Sequence, residues 1–177
     1  NGVVSGGAGN DIYSYHTGNG TVSVDSRIVK SWNYPRMYSP MMMAAGAGSE
    51  ETETDTLVLG DGITKENLAL VAGSDSLIIR TGSPGDEVHL KGFDSRDAYT
   101  ASAVDAVRFA SGEELTYAQL LDLGINFYGT EALDTLTGTD APDRIHALGG
   151  DDTITGGWQN DTLEGGAGND TYIFRYG

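Results

Sequence analysis

Hydrophobic residues follow two patterns along this chain. In the middle they alternate: Leu77 with Ile79, and Val88 with Leu90, keep the period of a strand with one buried face. Short apolar runs bounded by turn residues predict strands over residues 21–25, 56–59, 68–72, 77–81, 87–91 and 104–109. Gly73-Ser74-Asp75 and Gly82-Ser83-Pro84-Gly85 read as hairpin connections between neighbouring runs. Thr116 with Gln119 forms a capping-box pattern, and Tyr117, Leu120 and Leu121 before Gly124 predict one short amphipathic helix.

Toward the C-terminus the apolar positions recur every nine residues instead. A frame without gaps runs through residues 129–137 (GTEALDTLT), 138–146 (GTDAPDRIH), 147–155 (ALGGDDTIT), 156–164 (GGWQNDTLE) and 165–173 (GGAGNDTYI). A further copy, GGAGNDIYS, stands alone at residues 6–14. The sixth place is always Asp (Asp11, Asp134, Asp143, Asp152, Asp161, Asp170) and the eighth is always apolar (Tyr13, Leu136, Ile145, Ile154, Leu163, Tyr172). Two columns held through every copy are a repeat signal. The stretches starting at Gly6 and Gly165 also match each other for about a dozen residues, so the chain reads as a segment of a longer repeating protein. Three regions follow: residues 1–15 end one repeat block, 16–126 form a β-rich middle domain, and 129–177 form a second block. Residues 33–55, with Met41-Met42-Met43 and Glu50-Glu51-Thr52-Glu53, read as a long insertion or loop.

Composition narrows the chemistry. The chain has 177 residues, 26 acidic against 10 basic, a formal charge of −16 and no Cys. Such acidity argues against nucleic acid as a partner, because phosphate binding needs clustered Lys and Arg. Without Cys there is no disulfide, Cys-based zinc site or thiol nucleophile. No apolar run reaches the roughly 18 residues of a membrane span. Glycine, 26 of 177, is about twice its usual share of roughly 7%. In the repeats it sits in the six residues that turn, where positive φ and close backbone approach exclude a Cβ.

The last three residues of each copy extend as a strand whose middle side chain points inward. Two copies then make one coil, and each turn stacks on the turn eighteen residues away. The space between stacked turns is lined by backbone carbonyls and two Asp carboxylates, a hard-cation environment of the kind calcium takes with its many-oxygen shell. The implied pairs are Asp134 with Asp152, Asp143 with Asp161, and Asp152 with Asp170. Gly138, Gly149, Gly150, Gly156, Gly165 and Gly168 are the turn glycines expected to shape these sites, with Asp11 in a turn of the same kind.

The GGxGxD turns with an apolar eighth place resemble the RTX (repeats-in-toxin) calcium-binding nonapeptide. Asp55-Thr56-Leu57-Val58-Leu59-Gly60-Asp61-Gly62-Ile63, Leu77-Ile78-Ile79-Arg80 and Val107-Arg108-Phe109-Ala110-Ser111-Gly112 resemble the haemolysin-type calcium-binding-related domain that often follows an RTX block. The resemblance implies an all-β fold, a parallel β-roll with an intervening β-rich capping domain. It implies folding on calcium binding after type I secretion, in an extracellular or cell-surface setting, with calcium ions and neighbouring modules of the same chain as partners. Departures stand out. Ala132, Ala141 and Gln159 hold the fourth place, Thr130, Thr139 and Leu148 the second, and Ala147 the first. Asp134 is therefore the weakest expected site and Asp152 with Asp170 the strongest.

Other readings are set against this one. Asp favours turns without any ion, but strict spacing favours calcium. No phosphate loop, nucleophile elbow or HExxH motif occurs, and His16, His89 and His146 share no partner in the pattern, so no catalytic role is expected. The alternative function is an adhesive or ligand-binding repeat of a bacterial surface adhesin, with Thr139, Thr153, Thr155, Thr162 and Thr171 as surface rows. Arg144 interrupts those rows, and strand propensity explains the Thr residues.

Overall fold

A computed structural model describes residues 2–6, 10–25, 54–100 and 102–174. The expected insertion at 33–55 lies outside the described residues except for its last two.

Among the described residues, fifteen strands and one short α-helix follow in chain order. Residues before the first hairpin form β1 (Gly2–Val4), β2 (Ile12–Tyr15), β3 (Thr21–Val24) and β4 (Thr56–Leu59). The middle supplies β5 (Ala69–Ala72), β6 (Ser76–Arg80), β7 (Glu87–Lys91), β8 (Ala106–Phe109) and β9 (Glu114–Thr116), then α1 (Tyr117–Leu121) and β10 (Ile125–Tyr128). The nonapeptides form β11 (Thr135–Thr137), β12 (Asp143–His146), β13 (Thr153–Thr155), β14 (Thr162–Glu164) and β15 (Thr171–Ile173). Each expected strand is present within one or two residues. The strands β1, β9 and β10 are additional, because Ile125-Asn126-Phe127-Tyr128 and its counterparts are too short to show a period.

The strands wind as a parallel roll with two faces. One sheet has the order β1-β3-β7-β6-β5-β10-β12-β14; the opposite faces are β2-β4-β8-β9 and β11-β13-β15. In the C-terminal part the register steps by one coil: Thr135 pairs with Thr153, which pairs with Thr171, while Arg144 pairs with Thr162. The N-terminal part winds the same way, since β2, β4 and β8 are parallel neighbours, as are β1, β3 and β7. Between the two rolls lies the one reversal of the long sheet, β6, antiparallel to both β5 and β7. The expected hairpin turns flank it. The long sheet therefore runs without a break from β1 to β14, through the middle segment.

Burial explains why the middle holds the larger core. Alternation sends Leu77, Ile79, Val88 and Leu90 inward from one face, where Leu57, Leu59, Val107 and Phe109 meet them from the other. On the sheet that stops at β9, α1 continues the cover. Its N-terminus is closed by Thr116, whose N–H donates to Gln119 Oε1 at 2.9 Å and whose Oγ1 accepts from Gln119 N at 3.2 Å. Gly124, with φ +88°, turns the chain just after the C-cap Asp122, and the helix buries Tyr117, Leu120 and Leu121. The nonapeptide coils have a thinner interior: Ile145, Ala147 and Ile154 are fully buried, backed by Phe127, Leu136 and Leu163.

Candidate metal centre

The turns that link these strands fall into two backbone classes. In the third to fifth C-terminal copies, places two and four both have positive φ: Leu148 and Gly150, Gly157 and Gln159, Gly166 and Gly168. Non-glycine residues rarely adopt this region, yet Leu148 (φ 77°) and Gln159 (φ 67°) do so here. The first two copies, with Thr at place two and Ala at place four, have no positive φ there.

The sixth-place aspartates stack as a ladder. Asp134 N donates to Asp152 Oδ1 at 2.8 Å, Asp143 N to Asp161 Oδ1 at 3.1 Å, and Asp152 N to Asp170 Oδ1 at 3.1 Å. These are the three pairs that the eighteen-residue spacing implies. The turns also bond to each other through their backbones. Gly149 N donates to Thr130 O, Gly150 N to Ala167 O, Ala167 N to Leu148 O and Trp158 N to Thr139 O.

The first-place glycines make room for the ladder. A Cβ on Gly138, Gly156 or Gly165 would overlap the carboxylate of its own turn, Asp143, Asp161 or Asp170. Gly138 N donates to Thr155 O at 2.9 Å, and Gly165 N donates to the Tyr172 hydroxyl at 2.8 Å. Gly168 presses on the carbonyl of Gly150, again with no space for a side chain.

Asp152, Asp161 and Asp170 each have Oδ1 occupied by the preceding coil, and the environment of Oδ2 sets Asp152 apart from Asp134 and Asp143. Asp152 is 1% exposed, and its Oδ2 is buried with no hydrogen-bond partner. An ionised oxygen left so is costly unless something neutralises it. In the Thr turns the same atom is bonded: Asp134 Oδ2 accepts from Thr130 N at 2.6 Å and Thr130 Oγ1 at 2.9 Å. Asp143 Oδ2 accepts from Thr139 N at 2.5 Å and Thr139 Oγ1 at 3.1 Å. Burial pushes the Asp143 carboxyl up to about 7, against the lowering effect of the Thr139 bonds, with Asp161 and Asp140 adding to the rise. Burial also raises Asp161, opposed by its bond from Asp143 N.

The upstream turn joins the same kind of ladder, through residues that the nine-residue frame misses. Asp11 N donates to Asp55 Oδ1 at 3.0 Å, and Asp55 N donates to Asp105 Oδ2 at 2.7 Å. The sequence separations are 44 and 50 residues instead of 18. The available signal is the triplet Asp-x-apolar, seen in Asp55-Thr56-Leu57 and Asp105-Ala106-Val107 as in Asp11-Ile12-Tyr13. Gly6 N donates to the Tyr13 hydroxyl at 3.0 Å, the same contact as Gly165 with Tyr172, and Asp11 Oδ2 is also buried without a partner.

Among the described residues no three His, Asp or Glu side chains converge on one point. A cation between stacked turns would thus take most of its donors from backbone carbonyls, with the bare Asp152 oxygen as the charged one. This all-oxygen donor set fits calcium. The histidines stand apart: His146 stacks on Tyr128 with ring centroids 5.5 Å apart, and its Nδ1 lies 2.8 Å from Glu164 Oε2 on the outer face.

The family model of the RTX calcium-binding nonapeptide repeat matches residues 3–22, 128–163 and 137–172. No curated protein matches the chain.

Proposed function

Because this chain carries RTX calcium-binding nonapeptide repeats in both of its rolled segments, and such repeats bind calcium ions, we propose that it is a structural module of a large secreted protein that folds as it binds calcium outside the cell. The ions lie between stacked turns in this reading, held by Asp152 with Asp170 first, and by turn carbonyls. The observation that carries it is the buried, unpartnered Oδ2 of Asp152 in a ladder of aspartates.

Charge and packing support a calcium-dependent fold. Residues 129–177 hold seven Asp and two Glu against two Arg, and stacking brings like charges together, which opposes folding. The small interior around Ile145 and Ile154 is set against an ordering cost on the order of 1–2 kcal/mol per residue. Bound calcium neutralises carboxylates and links turns, so its binding free energy becomes folding free energy. RTX repeat proteins are typically secreted, and among the described residues no helix is long and apolar enough to cross a membrane. An extracellular affinity of roughly 0.1–1 mM leaves the sites empty in a low-calcium cytosol, where an unfolded chain suits export. The repeat family is structural, not catalytic. We take the middle segment, 16–126, as the template on which the C-terminal coils form, since its core is larger.

The test is circular dichroism of the whole chain during calcium titration, with magnesium as control. A gain of β signal with calcium alone is expected. A full signal in excess chelator, or an equal response to magnesium, refutes the switch.

A further inference from the structure

The calcium reading ranks the sixth-place Asp residues by the glycines their turns keep, but the turns also differ in what bonds to the carboxylate. We infer that Thr130 and Thr139 decide which turns take an ion: each threonine supplies internally the neutralising contacts that calcium supplies elsewhere, so the Asp134 and Asp143 carboxylates bind no metal. This rests on the calcium reading of the ladder and restricts it.

Three observations carry the inference. First, Oδ2 of the carboxylate is satisfied in the Thr turns and bare in the turn with Leu148 at place two. Thr139 donates both its N–H (2.5 Å) and its hydroxyl to Asp143 Oδ2, and Thr130 does the same for Asp134; Asp152 Oδ2 has nothing. Charge-assisted bonds of this kind are about twice as strong as neutral ones. Second, those donors point hydrogens at the oxygen an ion would use, so calcium would have to displace them, and at Thr139 it would leave a buried N–H unpaired. Third, each threonine also holds its own turn. Its Oγ1 accepts from the N–H two residues on, Ala132 N at 3.2 Å and Ala141 N at 3.0 Å. Place two therefore stays out of the positive-φ region that Leu148, Gly157 and Gly166 occupy.

The Thr139 turn is also tied to the middle of the chain. Thr139 is 3% exposed, Ala141 belongs to the large core, and Asp140 Oδ1 accepts from Ala98 N at 2.8 Å. The first coil after β10 is thus a metal-independent step on which the ion-dependent turns stack.

The experiment uses the whole chain, with calcium itself as the probe. Side-chain carboxyl carbons of Asp are followed by carbon-13 NMR through the titration, and stoichiometry is measured by calorimetry for Asp143→Asn and Asp152→Asn. Asp152 is expected to shift with calcium while Asp134 and Asp143 hold their positions to saturation. Asp152→Asn lowers the stoichiometry by at least one ion, and Asp143→Asn leaves it unchanged with affinity within about twofold. A shift shared by Asp143 and Asp152, or an equal loss of ions in the two variants, overturns the inference alone. No calcium response at any Asp overturns the functional reading and this inference with it. Because the NMR arm uses unmodified protein, it decides the matter even where a variant fails to fold.

Discussion

Replacing Gln159 by Gly should stabilise this protein. Gln159 holds the fourth place of its turn at φ 67°, where neighbouring copies have Gly150 at 113° and Gly168 at 137°. An L-residue in the left-handed region costs about 1–2 kcal/mol, whereas the extra freedom of glycine in the unfolded chain costs about 0.5–1 kcal/mol. Gln159 is exposed, so removing its side chain sacrifices little packing. The net gain is about 0.5–1 kcal/mol, or roughly 1–4 °C in melting temperature for a chain of this size. Thermal unfolding in saturating calcium measures it, with two controls. Gln159→Ala keeps the unfavourable φ and should give no gain. Gly168→Ala, whose Cβ would overlap the Gly150 carbonyl, should lower the melting temperature well beyond the size of that gain. A Gln159→Gly protein that melts at or below the wild type, or an equal rise with Gln159→Ala, would refute the argument from backbone conformation.

Further outcomes are open to measurement. Ile154 is fully buried between Leu136 and Tyr172 in the stacked column, so Ile154→Ala should cost about 2–4 kcal/mol in urea unfolding with calcium present; a loss below ~1 kcal/mol would mean the coil interior is not close-packed. Asp86 is held below the usual carboxylate range by N–H groups of Gly18 (2.6 Å) and Gly20 (2.9 Å). Its stabilising effect is therefore present above the unfolded pKa of about 3.8 and lost as pH falls through the lower folded value. The stability gap between wild type and Asp86→Asn should be constant from pH 7 to 5 and close below pH 4; a gap that widens on acidification would reverse the sign.

Regular repeats made the C-terminal roll legible in the sequence. Spacing alone placed Asp134 opposite Asp152 and Asp152 opposite Asp170, because a coil of fixed length leaves only one register. The same reasoning missed Asp55 and Asp105, where the coils carry inserted chain and the nine-residue count is lost. It also read Thr130 and Thr139 only as lost glycines. A threonine at place two looks like decay of a motif until the backbone shows its N–H and hydroxyl on the carboxylate. The long sheet from β1 to β14 was hidden for a related reason. Pairing between β5 and β10 joins residues far apart in sequence, with only Ile125–Leu70 and Asn126–Val71 in register.

The upstream coils return to register after 44 and 50 residues, against 18 downstream. Closing a loop costs free energy that grows only with the logarithm of its length, so each enlarged coil is penalised by less than about 1 kcal/mol relative to a short one. One enlarged coil contains the whole β5–β6 hairpin, inserted between β4 and β7. A winding polymer of this kind behaves like a spine with exchangeable ribs. The strands that stack fix the axis, while the chain leaving one edge is free to lengthen, acquire a new pairing surface or carry a foreign segment. The turn at Gly82-Ser83-Pro84-Gly85, between β6 and β7, is then the natural place to graft a reporter or an epitope, with the pairing of β4 to β8 as the readout that the axis has survived.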